Sequence, residues 1–210
     1  MCLITEFDNI FVMFAPGTGG NHLANLMSLD SRYAKRFDPS DYDFTTNNNS
    51  DAHYAILHGG PENLNLHHPW IDINCIKLQK NILCGHVLEY LHLKNTTNIL
   101  EQLPNKAFVT IQVPTPGDRA HTRMTWRYGK MDNYMLGELA VLYDAPNLKK
   151  IFDLPEIDVW HYVWPKDLFD DDISPVLNQI QHVFGLDLDQ TLAQELHTKW
   201  LANLERNKQP

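Results

Sequence analysis

Residues 9–27 read NIFVMFAPGTGGNHLANLM, and this stretch decides the fold. Residues 10–14 form a continuous apolar run, which is typical of a parallel strand buried on both faces. The apolar residues after the glycines recur at helical spacing, so a helix is predicted there. Three glycines in four positions separate the two elements and permit a sharp turn close to a ligand. The stretch therefore predicts a strand, a phosphate loop and a helix.

The turn offers an anion-binding site. The first N–H groups of a helix have no partner within it and lie at the positive end of its dipole, so nucleotide binding is the first functional hypothesis. Thr18 and Asn21 are expected to cap the helix or to bond the anion directly. The alternative interpretation is a glycine-rich connection that holds no ligand.

Two well-known nucleotide motifs do not fit this turn. A Walker A motif requires a lysine after the glycines, and none follows here, which weakens an ordinary ATPase or GTPase interpretation. A dinucleotide-binding Gly-x-Gly-x-x-Gly pattern fails because its third glycine position falls on His22.

Composition bounds the class of protein. The 210 residues are 43% hydrophobic, which suits one domain with a real core, and we expect a single domain over 1–210 with a long irregular insertion at about 37–80. The net charge of −9 and the lack of a Lys/Arg run argue against nucleic-acid binding. Three scattered cysteines, no signal-peptide pattern and no apolar run of membrane-spanning length predict a cytoplasmic protein without a membrane segment.

The rest of the chain alternates predicted strands and helices. Further core strands are predicted at 81–86 and 107–113, a short strand at 54–58, and helices near 98–103 and 134–143. The alternating aromatic residues of 160–164 indicate another strand. These elements predict an α/β fold, a three-layer P-loop nucleotide-hydrolase-like arrangement in which helices cover both faces of a central, mostly parallel sheet.

Two helices are predicted near the C-terminus. Ser174 is a natural N-cap, Pro175 suits the first turn, and Gly185 suits the end of the first helix. The acidic run 170–172 places favourable charge before that helix. The second helix is predicted from about Asp189, with an apolar stripe that is expected to pack in the core.

The order of four motifs resembles the P-loop sulfotransferase family over most of the chain. They are the glycine loop after the first strand, Gly85-His86 at the end of a middle strand, a Pro-x-Asp-x-x-x-Thr segment at 116–122, and a final helical region of the form Phe-Gly-Leu-x-Leu-Asp followed by Leu-His-x-x-Trp-Leu-x-x-Asn.

The resemblance implies a sulfuryl donor, 3′-phosphoadenosine-5′-phosphosulfate, and an acceptor hydroxyl or amine on a small molecule or glycan. It implies that the 5′ end of the donor is held by Gly17, Thr18, Gly19, Gly20, Asn21 and His22, with Gly17 standing where the family has lysine. It implies that the 3′-phosphate is held near Asp118 and Thr122, where Pro114 replaces the family's arginine and Arg119, Arg123 and Arg127 are the nearest cations. His86 is the implied catalytic base.

Two other functional interpretations stay open. A nucleotide-binding or interaction protein with the same fold and no catalysis is compatible with the missing Lys and Arg. A P-loop kinase would require Mg²⁺ and normally the loop lysine. No metal site is predicted, because the histidines at 53, 58, 67 and 68 follow no ligand spacing and the acidic run suits a helix N-terminus better.

Overall fold

Short runs of apolar and aromatic residues form the strands of one sheet. The computed structural model describes residues 7–15, 17–33, 80–87, 103, 105–114, 116–119, 121, 139 and 159–206. The strands are β1 (Asn9–Phe14), β2 (Asn81–His86), β3 (Lys106–Ile111) and β4 (Trp160–Val163). The helices are α1 (Gly20–Met27), α2 (Pro165–Leu168), α3 (Ser174–Phe184) and α4 (Gln190–Arg206).

The described strands are all parallel and lie in the order β2-β1-β3-β4. Every residue of β1 is buried, which explains its continuous apolar sequence, since a parallel strand has no solvent face. The predicted strands at 10–14, 81–86, 107–113 and 160–164 all lie in this sheet. β3 ends at Ile111, two residues earlier than predicted. The prediction of an α/β fold with a parallel sheet is confirmed.

The two faces of the sheet carry different partners. On one face, the rings of Phe11, Phe108 and Trp160 stack in a row across β1, β3 and β4. On the other face, Cys84 of β2 contacts Asn21 of α1, and His161 of β4 contacts Phe184 of α3. The described helices α1 and α3 therefore cover this second face. A helical layer on the face of Phe11, and with it the three-layer P-loop arrangement, stays a prediction.

The prediction that Ser174 caps α3 is wrong: Ser174 is the first residue of the helix, Ile173 precedes it, and no side chain caps the helix, because Asp172 holds the Ser174 N–H instead. The other ends of the C-terminal helices lie close to their predicted positions. The side chain of Asp172 accepts hydrogen bonds from the Ser174 hydroxyl and from the Ser174 N–H, the latter at 2.9 Å, and these bonds lower the pKa of its carboxyl. Gly185 ends α3 in the left-handed conformation, with φ of 65°. Asp189 precedes α4 and its Oδ1 accepts the Leu192 N–H at 2.9 Å. Leu196 and Trp200 of the predicted apolar stripe are buried.

Several predicted elements lie outside the described residues. They are the strand at 54–58, almost all of the helices near 98–103 and 134–143, and the insertion at 37–80 apart from Lys80, which forms an isolated bridge with Tyr33.

Among the described helices, none has the length and apolar character needed to cross a bilayer.

Candidate functional site

The strand order creates a crevice at the carboxyl edge of the sheet, between β1 and β3. The next described strand along the chain after β1 is β2, on one side, whereas β4 follows β3 on the opposite side. In open parallel sheets, ligands bind outside the carboxyl ends of the strands at such a topological switch point. Here the glycine loop follows β1 and the segment carrying Asp118 and Arg119 follows β3. Both segments therefore leave the sheet at the crevice.

Two glycines of the loop adopt a backbone conformation that other residues rarely adopt. Gly17 and Gly19 have φ of 86° and 88°, the left-handed region that favours glycine. The Ala15 carbonyl accepts hydrogen bonds from the Thr18 N–H at 3.2 Å and the Thr18 hydroxyl at 2.8 Å. α1 begins at Gly20, and its N-terminal flanking residue Gly19 receives no side-chain cap. The expectation that Thr18 or Asn21 caps the helix is wrong: Thr18 is buried and closes the loop, and Asn21 Oδ1 accepts the Cys84 thiol at 3.2 Å.

Gly19 and Gly20 also bring elements into close contact. A Cβ atom on Gly20 would lie 2.0 Å from the ring of Phe14, so glycine lets α1 pack against β1. A Cβ atom on Gly19 would lie 3.0 Å from Leu168, 3.2 Å from Phe169 and 3.3 Å from Trp200. Packing alone therefore accounts for glycine at both positions.

His22, implied as a donor-binding residue, has its side chain in the core. It is 3% exposed, and its ring stacks on Trp200 with a centroid separation of 4.0 Å. Its Nε2 lies 3.0 Å from His197 Nδ1, and His197 Nε2 lies 2.6 Å from the Asp170 carbonyl. A carbonyl only accepts, so His197 Nε2 carries a proton, and a neutral His197 accepts the Nε2–H of His22 at Nδ1. Burial lowers the pKa of His197, which favours this neutral form, although the Asp170 carbonyl opposes the shift.

Arg119 lies beside a cavity that is lined mainly by charged residues. Its Nη1 donates to the Phe169 carbonyl at 3.0 Å and to Asp171 Oδ1 at 2.9 Å, and this hydrogen bond to Asp171 raises the pKa of Arg119. The cavity has a volume of about 200 Å³. It is lined by Asp118, Arg119, Lys166, Phe169, Asp170 and Asp171.

Phe169 joins the two halves of the candidate site. Its ring packs against Gly19 of the glycine loop, and its carbonyl accepts from Arg119 of the segment after β3. The structure therefore places Arg119 and the loop against the same residue. Thr122, Arg123 and Arg127 lie outside the described residues, so their predicted roles stay predictions.

His86 is the last residue of β2 and lies directly opposite Phe14 in the register of the two strands. It is half-buried, and its ring meets the Phe14 ring edge to face with a centroid separation of 5.2 Å. Phe14 immediately precedes the segment that carries the loop, so His86 lies one strand away from it at the same edge of the sheet.

Three residues near the candidate site were given no role in the sequence analysis. His197 is buried in α4, and the sequence around it gives no sign of its partner His22. Gln112 lies just beyond β3 at the crevice, and Lys166 lines the cavity beside Arg119. Among the described residues, no group of three or more His, Cys, Asp or Glu side chains is arranged to hold a metal ion.

Compared with protein-family models, with curated proteins and with solved structures, the chain gives no significant match.

Proposed function

We propose that this chain binds a phosphorylated adenosine ligand at the carboxyl edge of its sheet, between the glycine loop and Arg119. The observation that carries the proposal is the position of both segments at the switch point between β1 and β3, with Phe169 touching each of them. The loop contributes backbone N–H groups at the beginning of α1, and Arg119 contributes a guanidinium whose planar fork matches a phosphate.

The ligand we propose is 3′-phosphoadenosine-5′-phosphosulfate, and the reaction is sulfuryl transfer. The acceptor atom forms a bond to sulfur, the bond between sulfur and the 5′-phosphate oxygen breaks, and adenosine 3′,5′-bisphosphate leaves. The acceptor's proton goes to His86, a step typically worth about 10²–10⁴-fold in rate. The edge-to-face contact with Phe14 holds the His86 ring at the strand end, one strand from the loop.

Charge stabilisation on the donor rests on the cations near the crevice. The loop has Gly17 in place of the family's lysine. The 5′ end of the donor would therefore be stabilised by the N–H dipoles at the beginning of α1 and not by a full positive charge. Arg119 and Lys166 supply positive charge on the side of β3 and β4, although the carboxylates of Asp118, Asp170 and Asp171 line the same cavity. Asp171 competes with the ligand for Arg119, but both side chains are more than half exposed, and such pairs are weak.

The second candidate is a protein of the same fold that binds the nucleotide without catalysing transfer. Two observations favour it: glycine stands at the loop-lysine position, and the Arg119 guanidinium is already bonded to Asp171 and to the Phe169 carbonyl. In this case His86 has no role in the activity and ligand binding is retained.

The test is a thermal-shift comparison of adenosine 3′,5′-bisphosphate with ATP, first without Mg²⁺. A ligand that binds only the folded state at a hundredfold excess over its Kd should raise Tm by about 6 °C. Arg119→Ala should reduce the shift, whereas the matched loss of an exposed cation on α4, Lys199→Ala, should leave it unchanged. His86→Ala should keep the shift and lower transfer at least a hundredfold if the protein is a sulfotransferase.

Other outcomes separate the alternatives. Nucleotide binding without measurable transfer to any acceptor supports the catalytically inactive protein. A shift with ATP and Mg²⁺ alone supports a kinase. No shift with either nucleotide overturns the proposal.

A further inference from the structure

Two buried histidines lie between the helix that follows the glycine loop and the backbone that holds Arg119. His22 is in the first turn of α1 and His197 is in α4, and both side chains are buried. Apolar side chains of similar size would fill this volume without the cost of taking two imidazoles out of water. Hydrogen-bonded polar groups in a core instead favour one relative position of the elements that they join.

His197 is hydrogen-bonded through both ring nitrogens to different parts of the chain. Its Nδ1 accepts the Nε2–H of His22 over 3.0 Å, and its Nε2–H donates to the Asp170 carbonyl over 2.6 Å. The two bonds leave the ring in different directions, so together they fix the orientation of the imidazole. The ring therefore joins α1 to the backbone of the segment that follows α2.

The backbone bonded to His197 is the one that holds Arg119. The carbonyl of Phe169, one residue before that of Asp170, accepts from Arg119 Nη1 at 3.0 Å. The Phe169 ring lies against the glycine loop, where a Cβ atom added to Gly19 would be 3.2 Å from it. Consecutive peptide planes are rigid and share one Cα atom, so a shift of the Asp170 carbonyl also moves the Phe169 carbonyl.

We infer that His197 is a positioning residue of the proposed nucleotide site: through the Asp170 carbonyl it sets the distance between Arg119 and the glycine loop. This inference rests on the proposed function. The His197 side chain is fully buried, so its effect on a ligand goes through these neighbours. A nucleotide with a phosphate at each end has to meet the loop and Arg119 at one separation, and its affinity depends on how well that separation is set before it binds.

The test compares two ligands that differ only at the 3′ end. In the proposed site, adenosine 3′,5′-bisphosphate engages the loop and Arg119, whereas adenosine 5′-monophosphate engages the loop alone. Titration calorimetry with each ligand gives the ratio of the two affinities. His197→Asn, whose shorter amide does not reach the Asp170 carbonyl, should lower this ratio about fivefold. His197→Gln, whose amide nitrogen takes the place of Nε2, should keep the ratio close to wild type.

Three further variants separate positioning from a loss of stability. In an Arg119→Ala background, His197→Asn should change the ratio no further, because the group that it positions is absent. His161→Asn is the matched loss of a half-buried histidine, which contacts Phe184; it should lower Tm and leave the ratio unchanged. His197→Leu, which fills the volume and makes neither hydrogen bond, takes the place of His197→Asn if that variant does not fold.

Each remaining outcome decides against a stated claim. An unchanged ratio in His197→Asn or its leucine substitute overturns the inference and leaves the proposed function standing. A further fall in the ratio in the Arg119→Ala background does the same, and so does a fall in His197→Gln as large as that in His197→Asn. If the wild-type protein does not prefer the bisphosphate, or if Arg119→Ala does not reduce that preference, the proposed function fails and the inference fails with it.

Discussion

The Nε2 atom of His22 lies 3.0 Å from the Nδ1 atom of His197, although 175 residues separate them in the chain. The pair connects the first turn of α1 to α4, and the Asp170 carbonyl and the ring of Trp200 complete its surroundings. The helix that follows the glycine loop is therefore linked to α4 by this histidine pair.

The histidine pair should make stability depend on pH. Burial lowers the pKa of His197 in the folded state, so between its ordinary pKa of about 6.5 and the lower folded value the unfolded chain binds more protons. Stability is then complete above about pH 6.5 and is lost as the pH falls below it. At pH 5.5 this residue should reduce the free energy of unfolding by at most about 1.4 kcal/mol.

Denaturant titrations at pH 7.5 and 5.5 measure this loss. The loss should be smaller in His197→Gln, which keeps a donor and an acceptor but does not titrate in this range. The exposed His182→Gln serves as the control and should retain the wild-type dependence. Burial also lowers the pKa of His161, which adds a loss of the same sign in all three proteins. An equal loss in His197→Gln and wild type would contradict the prediction.

Alanine at Gly20 should destabilise the protein, although alanine is normally better than glycine in a helix by about 1 kcal/mol. The new Cβ would collide with the Phe14 ring, and overpacking of this kind costs about 1–3 kcal/mol. In a Phe14→Leu background the collision is relieved, so the same substitution should cost much less. Chemical denaturation of the wild type, the two single variants and the double variant gives the coupling free energy between positions 14 and 20. Additive effects of the two substitutions on the free energy of unfolding would show that the new Cβ does not collide with the Phe14 ring.

Gly117→Ala gives the matched control for the loop glycines. Gly117 has φ of 94°, and no atom would lie within 4 Å of a Cβ added to it, so only backbone strain of about 1 kcal/mol is expected.

The Asp30 carboxylate should be a major local contributor to stability. Its side chain is 1% exposed and accepts hydrogen bonds from the backbone N–H and the guanidinium of Arg32. It also accepts the Asp187 N–H, and this bond joins the segment after α1 to the connection between α3 and α4. Asp30→Asn should lower the free energy of unfolding by about 2–3 kcal/mol, since bonds to a charged acceptor are lost. Glu195→Gln, which breaks the exposed pair with Lys199, should cost less than about 0.5 kcal/mol.

The same carboxylate predicts acid sensitivity. Burial raises the pKa of Asp30, but the bonds from Arg32 and Asp187 outweigh it, so the folded pKa lies below the ordinary value. The stabilisation is present above about pH 3.9 and is lost as the pH falls towards the folded pKa. Asp30→Asn should therefore unfold with a shallower dependence on pH below about 4, and an unchanged dependence would contradict this assignment.

Removing the competitor of Arg119 should improve anion binding. In Asp171→Asn the guanidinium keeps the Phe169 carbonyl but loses its carboxylate, so the affinity for adenosine 3′,5′-bisphosphate should rise about two- to fivefold, in line with the small free energy of an exposed pair. The free energy of unfolding should change by less than about 1 kcal/mol. Asp189→Asn, a matched charge change away from Arg119, should leave the affinity close to wild type. A fall in affinity in Asp171→Asn would place the ligand elsewhere.

The sequence by itself determined the elements whose causes are local. The apolar run of β1 indicates a parallel strand because burial on both faces leaves no place for an alternating pattern. The glycines after it locate the start of α1 at Gly20, since residues with φ of 86° and 88° at 17 and 19 end the strand and turn the chain. Asp189 and Gly185 bound the C-terminal helices through hydrogen bonds and backbone angles within a few residues.

Only the tertiary structure decided what the candidate site residues touch. His22 reads as part of a phosphate loop, but its partners His197 and Trp200 come from α4, and no short-range pattern encodes a contact across that distance. Arg119 reads as a free cation until Phe169 and Asp171 are placed against it. Gln112 looks like any polar residue at a strand end. Its burial and its unpaired amide nitrogen arise only in the folded protein, because side-chain hydrogen bonding depends on neighbours in space rather than along the chain.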